Sequence, residues 1–125
     1  MISILPDLKI CQEAKDKGIK IESKFWIDNE GEYYQDISEQ CAKDYGRYPA
    51  PLTDEILKVL PKFISLHPRN HPESNVSVRL SIYCGKRKGF SVSYLRAIRP
   101  VYDKKLSNAL LLLVKKLVDE GHNLI

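Results

Sequence analysis

Residues 77–95, SVRLSIYCGKRKGFSVSYL, contain the most regular pattern in the chain. Apolar residues alternate with serine, arginine and tyrosine on both sides of a GKRKG turn. Such alternation is typical of strands that bury only one face. The register that puts every large apolar side chain on one face pairs Cys84 with Phe90, Ile82 with Val92 and Leu80 with Tyr94. The pattern therefore predicts an antiparallel hairpin with a serine-rich outer face.

Helices are predicted towards both ends of the chain. The first covers residues 7–17, with Asp7 as its N-cap and Gly18 as its stop. The last covers residues 104–120, follows Asp103 as its N-cap and has one broad face of leucine, valine and alanine. The apolar spacing of both helices predicts that they pack against a sheet.

The middle of the chain is predicted to contain a short helix and a segment that returns towards the sheet. Thr53 is placed as the N-cap of the helix, which Pro61 ends. Residues 63–66 return towards the sheet. In residues 36–52, the pattern predicts at most a short helical turn over 38–43, because the glycine and prolines that follow favour turns.

A second hairpin is predicted from residues 23–27 and 32–35, which are aromatic and β-branched around an Asn/Gly turn. This hairpin has large side chains on both faces, with Phe25 and Ile27 on one and Trp26 on the other. Two interpretations remain open: the fold covers both faces, or one aromatic surface is available to a partner.

The order of elements predicts a single α+β domain over residues 1–125. Two hairpins form a mostly antiparallel sheet, with the early, short middle and long C-terminal helices packed on one face. No strand-helix-strand unit requires a parallel sheet. A chain of 125 residues with 43% hydrophobic content is long enough to bury a core.

Composition and charge place the chain among soluble, cytoplasmic proteins. There is no basic segment before an apolar stretch of signal-peptide length, and the longest apolar run is 109–114. Three scattered cysteines fit a reducing compartment. The net charge of +4 is uneven, since residues 1–65 carry 9 cations and 12 carboxylates, whereas residues 66–125 carry 11 and 4. This asymmetry fits either a surface that faces a polyanion or two halves that attract each other.

No motif indicates an enzyme, a cofactor or a metal. His67 and His71 have helical spacing, but prolines interrupt it and no third ligand is near. Residues 28–32 lack the alternation and the distal glutamate of a calcium loop, so they are predicted to form a turn. The Gly85–Gly89 turn lacks the spacing of a phosphate-binding loop. Cys84 lies among apolar strand residues and is interpreted as a small hydrophobic side chain.

Two binding surfaces are predicted. The leading prediction is protein–protein contact or self-association, because Trp26, Tyr34 and Leu112 are apolar side chains beyond the main seam. The alternative is an accessory protein that binds nucleic acid with a basic hairpin tip. Its candidate residues are Lys86, Arg87, Lys88, Arg96 and Arg99. Against this alternative, the tip has no aromatic residue that could stack on a base.

The segments "ESKFWI", "PAPLTDEILKVLP", "GFSVSYL" and "LSNALLLLVKKLVDEGHNLI" resemble a family of small, uncharacterised phage and prophage proteins. The matching positions are Thr53, Ile56, Leu57, Leu60, Pro61, Ala109, Leu113, Leu117, Glu120, Gly121 and Ile125. These positions are caps, core residues and stops, so the resemblance implies a bacterial or phage context and no catalytic role. The basic GKRKG tip is not part of the family pattern.

Overall fold

The structure is a computed structural model that describes residues 4–35, 38–66, 76–84, 89–94 and 97–125. The predicted tip residues Lys86–Lys88 and Arg96 therefore lie outside the described residues, as does the loop that contains His67 and His71.

The described residues form four helices and seven strands. The helices are α1 (Leu8–Asp16), α2 (Glu39–Asp44), α3 (Thr53–Val59) and α4 (Leu106–Asp119). The strands are β1 (Phe25–Ile27), β2 (Tyr33–Gln35), β3 (Tyr48–Pro49), β4 (Phe63–Leu66), β5 (Val76–Cys84), β6 (Phe90–Tyr94) and β7 (Ile98–Asp103). They form two antiparallel sheets, a three-stranded sheet in the order β2-β1-β3 and a four-stranded sheet in the order β4-β5-β6-β7. The predicted α+β class is confirmed, with two sheets in place of one.

The predicted register of the β5–β6 hairpin is confirmed. Cys84 pairs with Phe90, Ile82 with Val92 and Leu80 with Tyr94. Strand β7, which the sequence pattern did not predict, continues this sheet beyond β6. The β6–β7 register shifts between Val92 and Tyr94, so that Arg99 and Pro100 together lie opposite Ser93. Two residues opposite one are a β-bulge, which increases the local twist of the sheet.

The core lies between α4 and the inner face of the four-stranded sheet. Helix α4 packs on β6, β7, α1 and α3. Its buried residues include Leu110, Leu113 and Leu117, each with no exposed surface, and they meet Val92 and Tyr94 in one cluster. The burial of these residues confirms the predicted apolar face of the closing helix. Each large aliphatic side chain that is buried contributes about 2 kcal/mol to stability.

The predicted N-cap position is confirmed for α1 and differs for α3 and α4. Asp7 occupies the N-cap of α1, but its side chain makes no capping hydrogen bond. Helix α3 begins one residue earlier than predicted, with Leu52 as its N-cap, and the Glu55 carboxylate accepts a hydrogen bond from the Leu52 N–H at 2.8 Å. Helix α4 starts after Lys105, and the Asp103 carboxylate accepts from the Lys105 N–H at 2.9 Å.

The hairpin predicted from residues 23–27 and 32–35 is confirmed over β1 and β2, with Trp26 opposite Tyr34. Asp28 organises its turn, because one carboxylate oxygen accepts from the N–H groups of Glu30 and Glu32 at 2.9 Å each. Strand β3 adds a third strand that the sequence did not predict, and it pairs Pro49 with Trp26. All three residues of β1 are buried, so the side chains on both faces of this strand are covered, whereas β2 is half-buried to exposed. No helix in the described part of the chain has the length and apolar character needed to cross a bilayer.

Candidate functional site

The three candidate interface residues are not exposed. Trp26 is only 8% exposed, and Tyr34 and Leu112 are half-buried. Leu112 packs against the main core. The Tyr34 hydroxyl donates to the Asp28 carboxylate at 2.9 Å, and this hydrogen bond raises the pKa of Tyr34. The apolar side chains from which protein contact was predicted therefore pack largely within the fold.

Exposed aromatic side chains lie instead on the four-stranded sheet, on the face turned away from α4. We call this the outer face. Strand alternation and the observed pairing place Phe63, Arg79, Ser81, Tyr83, Ser91, Arg99 and Tyr102 on it, together with Ser93, which is buried. The opposite face carries Val92, Tyr94 and Val101, which are buried against α4 and its neighbours. Because one face of the sheet forms the core, the residue types of the other are free to serve binding.

Two tyrosines define one end of the outer face. Tyr83 on β5 and Tyr102 on β7 both lie opposite Ser91 on β6, so the three residues form a row across the sheet. Tyr83 is 55% exposed and Tyr102 is 52% exposed. Two strand spacings separate the tyrosine backbones, which corresponds to about 9.6 Å. Ser91 thus lies between the two tyrosines in the row.

Tyr102 also packs against Gly89, the residue that leads into β6. A Cβ on Gly89 would overlap the hydroxyl group and ring of Tyr102, so the ring approaches the Gly89 backbone directly. Gly89 is buried beneath this contact. The two tyrosines therefore lie next to the ends of the 85–88 connection that carries the predicted cations Lys86, Arg87 and Lys88.

The segment that forms this sheet is strongly cationic. Residues 63–103, which span β4 to β7, contain seven Lys and Arg residues and two carboxylates, a net charge of +5. None of the residues placed on the outer face is a carboxylate. The described Arg79 and Arg99 are both exposed. A surface that lacks acidic groups and carries arginines attracts polyanions.

The charge asymmetry between the two halves of the chain has two components. Lys105 pairs with Asp7 at 2.6 Å, and Lys115 pairs with Glu13, so α4 uses two cations to hold the N-terminal segment and α1. Within the described residues, the ion pairs do not include Arg79 or Arg99. The attraction between halves therefore explains part of the asymmetry, and Arg79 and Arg99 remain available at the surface.

Sequence reasoning missed the aromatic part of this site. Tyr83 was recoverable, because strand alternation puts it on the serine-rich face only two residues before Gly85. Tyr102 was not, because β7 had not been predicted. Of the basic candidates, the structure places Arg99 on the outer face at the β-bulge.

The cysteines divide into one buried and two exposed thiols. Burial, helped by the negative charge of Asp7, raises the pKa of Cys11 to about 12. Cys84 is exposed rather than buried as interpreted from its neighbours, because it lies at the end of β5 and α4 packs on β6 and β7 instead. Cys41 is also exposed. In the described residues, no group of three or more histidine, cysteine or carboxylate side chains has the proximity to hold a metal ion.

Comparison with known proteins gives no match, whether with family models, with curated proteins or with solved structures.

Proposed function

We propose that this protein binds single-stranded nucleic acid along the outer face of its four-stranded sheet. The observation that carries the proposal is the row of Tyr83, Ser91 and Tyr102, in which two half-exposed tyrosines lie on either side of a serine, on a face where none of the described residues is a carboxylate. Aromatic rings on a cationic surface are the recurrent means by which proteins hold unpaired strands.

Stacking would be supplied by the tyrosines and by Phe63, which is 55% exposed on β4. Every base has a π-face, so stacking tolerates any sequence and contributes about 1–3 kcal/mol per base. In a duplex the bases already stack on one another, and a flat sheet face offers no ridge for the major groove. The arrangement therefore favours an unpaired strand.

Phosphate contacts would come from Arg79 and Arg99 on the same face, and from Lys86, Arg87 and Lys88 in the connection that follows Tyr83. Arg96 lies in the connection between β6 and β7 and adds to the same cationic segment. Arginine suits this role because its planar group can form two hydrogen bonds to a phosphate.

The test is fluorescence anisotropy with a labelled single-stranded oligonucleotide of mixed sequence, compared with its duplex. Tyr83→Ala combined with Tyr102→Ala should weaken binding to the single strand by about 100-fold, from about tenfold for each lost ring. The matched control is Tyr45→Ala, which removes a tyrosine that is 71% exposed outside the four-stranded sheet. Absence of binding, or equal binding by the double variant, would overturn the proposal.

Salt dependence supplies a second readout of the same site. Arg79→Gln combined with Arg99→Gln should make the log–log salt slope shallower by about 1.4, since each single-strand phosphate contact contributes about −0.7. Lys9→Gln with Lys58→Gln removes two exposed cations outside the sheet and should leave the slope unchanged.

Self-association through the outer face is the second candidate. Three exposed aromatic side chains, Phe63, Tyr83 and Tyr102, also suit a protein interface. The charge of the segment disfavours it, because pairing two copies face to face would bring like charges together. Light scattering without oligonucleotide distinguishes the two: a dimer that Tyr83→Ala with Tyr102→Ala dissociates would support self-association.

The proposal describes a binding protein without enzymatic activity that acts in the cytoplasm. Its three free cysteines suit a reducing compartment. The resemblance to small phage and prophage proteins adds a mobile-element context, in which single-stranded intermediates are a chemically suitable ligand.

A further inference from the structure

A cleft lies beside the β1–β2 hairpin, on the face of β1 that carries Trp26. It has a volume of about 490 Å³ and lies between the segment that follows α1, strand β1, helix α2 and strand β3. Clefts that bind small molecules range over roughly 300–1,000 Å³. The cleft shares no lining residue with the outer face of the four-stranded sheet.

Its apolar lining includes Trp26, Ile21, Ile19 and Pro49. Trp26 lies on the opposite face of β1 from Phe25 and Ile27, and it is buried without belonging to the main core cluster. Its indole Nε1–H is buried and donates to no acceptor among the described residues. A buried donor without a partner costs about 1–3 kcal/mol.

The charged lining is mainly cationic. Lys15, Lys20, Lys43 and Arg47 contribute to it, against Glu22 and Glu39. Glu39 is already paired with Lys43 at 3.3 Å. The cations that remain exceed the one remaining carboxylate.

Arg47 is the best-oriented of these cations. Its guanidinium lies 3.6 Å from the centroid of the Tyr34 ring and 5.1 Å from that of Tyr45. Tyr34 is the direct sheet neighbour of Trp26, so the arginine is held beside the indole. In the described residues, Arg47 makes no ion pair with a carboxylate. Stacking fixes the plane of the guanidinium. Backbone hydrogen bonds and, as a smaller cause, the charge of Arg47 lower the pKa of Asp28, and a guanidinium has further N–H donors that can bind an oxyanion.

We propose that this cleft binds a small amphipathic anion, with its apolar body against Trp26 and its carboxylate or phosphate at Arg47. The apolar lining and the oriented arginine act on different parts of one ligand, which is the usual division between affinity and orientation in small-molecule sites. The inference does not depend on nucleic-acid binding, because it uses other residues.

The test is a titration with 2-naphthoate, and with neutral 2-naphthamide as a probe of matched size. Trp26 is the only tryptophan, so its indole N–H gives a single resonance in a ¹H–¹⁵N spectrum that reports on this site alone. We expect 2-naphthoate to shift this resonance saturably and to bind about tenfold more tightly than 2-naphthamide, as one oriented ion contact requires.

Arg47→Gln should weaken 2-naphthoate binding about tenfold and Lys20→Gln about threefold, whereas Arg79→Gln, which removes an exposed arginine elsewhere, should have no effect. Lys20→Gln keeps the test valid if loss of the Arg47 stacking disturbs the hairpin, since Lys20 is exposed. The proposal is overturned by an unmoved indole resonance, by equal affinity for the two probes, or by equal weakening in Arg79→Gln.

Discussion

The ring of Tyr102 lies directly on the backbone of Gly89, across the β6–β7 pair of the four-stranded sheet. Only glycine leaves the room that this approach requires, because any Cβ would overlap the hydroxyl group and the ring. The contact holds an exposed tyrosine at the start of β6, next to the cationic connection. A packing relationship at the edge of the fold thus places a side chain that we assign to binding.

Gly89→Ala should destabilise the protein by about 1–3 kcal/mol, as overpacking does elsewhere. Its backbone does not adopt the positive φ found at Gly18, Gly31, Gly46 and Gly121, so alanine brings a clash without backbone strain. Tyr102→Ala removes the ring, and the double variant should recover about 1–2 kcal/mol relative to the sum of the single changes. Urea denaturation measures this cycle. Additive free energies would show that the ring does not rest on Gly89.

Asn108 should be the polar residue whose loss costs most. It is buried on α4, accepts from the Asp7 N–H at 2.8 Å and donates to the Asp7 and Asp103 carboxylates at 2.9 and 3.2 Å. Asn108→Ala leaves the Asp7 N–H without this partner, and we expect a loss of about 2 kcal/mol in the free energy of unfolding. Asn123→Ala, at an exposed position, should stay within about 0.5 kcal/mol of the wild type. Equal effects would contradict this role.

The same contacts predict a pH dependence. Burial alone would raise the pKa of Asp7, but the hydrogen bonds from Lys105 and Asn108 and the charge of Lys105 lower it below its ordinary value of 3.8. Since the folded state prefers ionised Asp7, this stabilisation is complete above about pH 4 and is lost as the pH falls through the lowered pKa.

Urea denaturation at about pH 6 and about pH 3 measures this contribution. Asp7→Asn should be less stable than the wild type at the higher pH and should lose less stability on acidification. Asp54→Asn, at an exposed position of α3, should lose as much as the wild type. Identical losses in Asp7→Asn and the wild type would show that Asp7 does not contribute to acid sensitivity.

Local patterns predicted the β5–β6 hairpin because each residue reports its own face through strand alternation. Strand β7 was not predicted because its alternation is interrupted. Arg99 and Pro100 together occupy one position opposite Ser93, so the period of two is broken where it would have been read. Strand β3 has two residues, one of them Pro49, and its pairing depends on β1 rather than on its own sequence.

At α1 a capping hydrogen bond is absent for a different reason, although Asp7 occupies the predicted N-cap position. Asp7 has the side chain of an N-cap, but Lys105 and Asn108, about 100 residues away in the chain, bind its carboxylate instead. Long-range contacts therefore overrode a local preference. The outer face also depends on both local and long-range information. Alternation alone places Tyr83, whereas placing Tyr102 requires β7 and its contact with Gly89.

The thiols provide a final prediction, which tests the burial of α1 against α4. Cys11 is 1% exposed and its pKa is raised to about 12, whereas Cys41 and Cys84 are exposed. A thiol reacts as its thiolate, so Cys11 is protected both by burial and by protonation. An aromatic disulfide reagent at about pH 8 should modify two of the three thiols rapidly in the folded protein, and the third only after unfolding. Cys84→Ser should leave one rapid thiol, and Cys11→Ser should leave two. If three thiols react rapidly, or if Cys11→Ser removes a rapid one, then α1 does not pack as described.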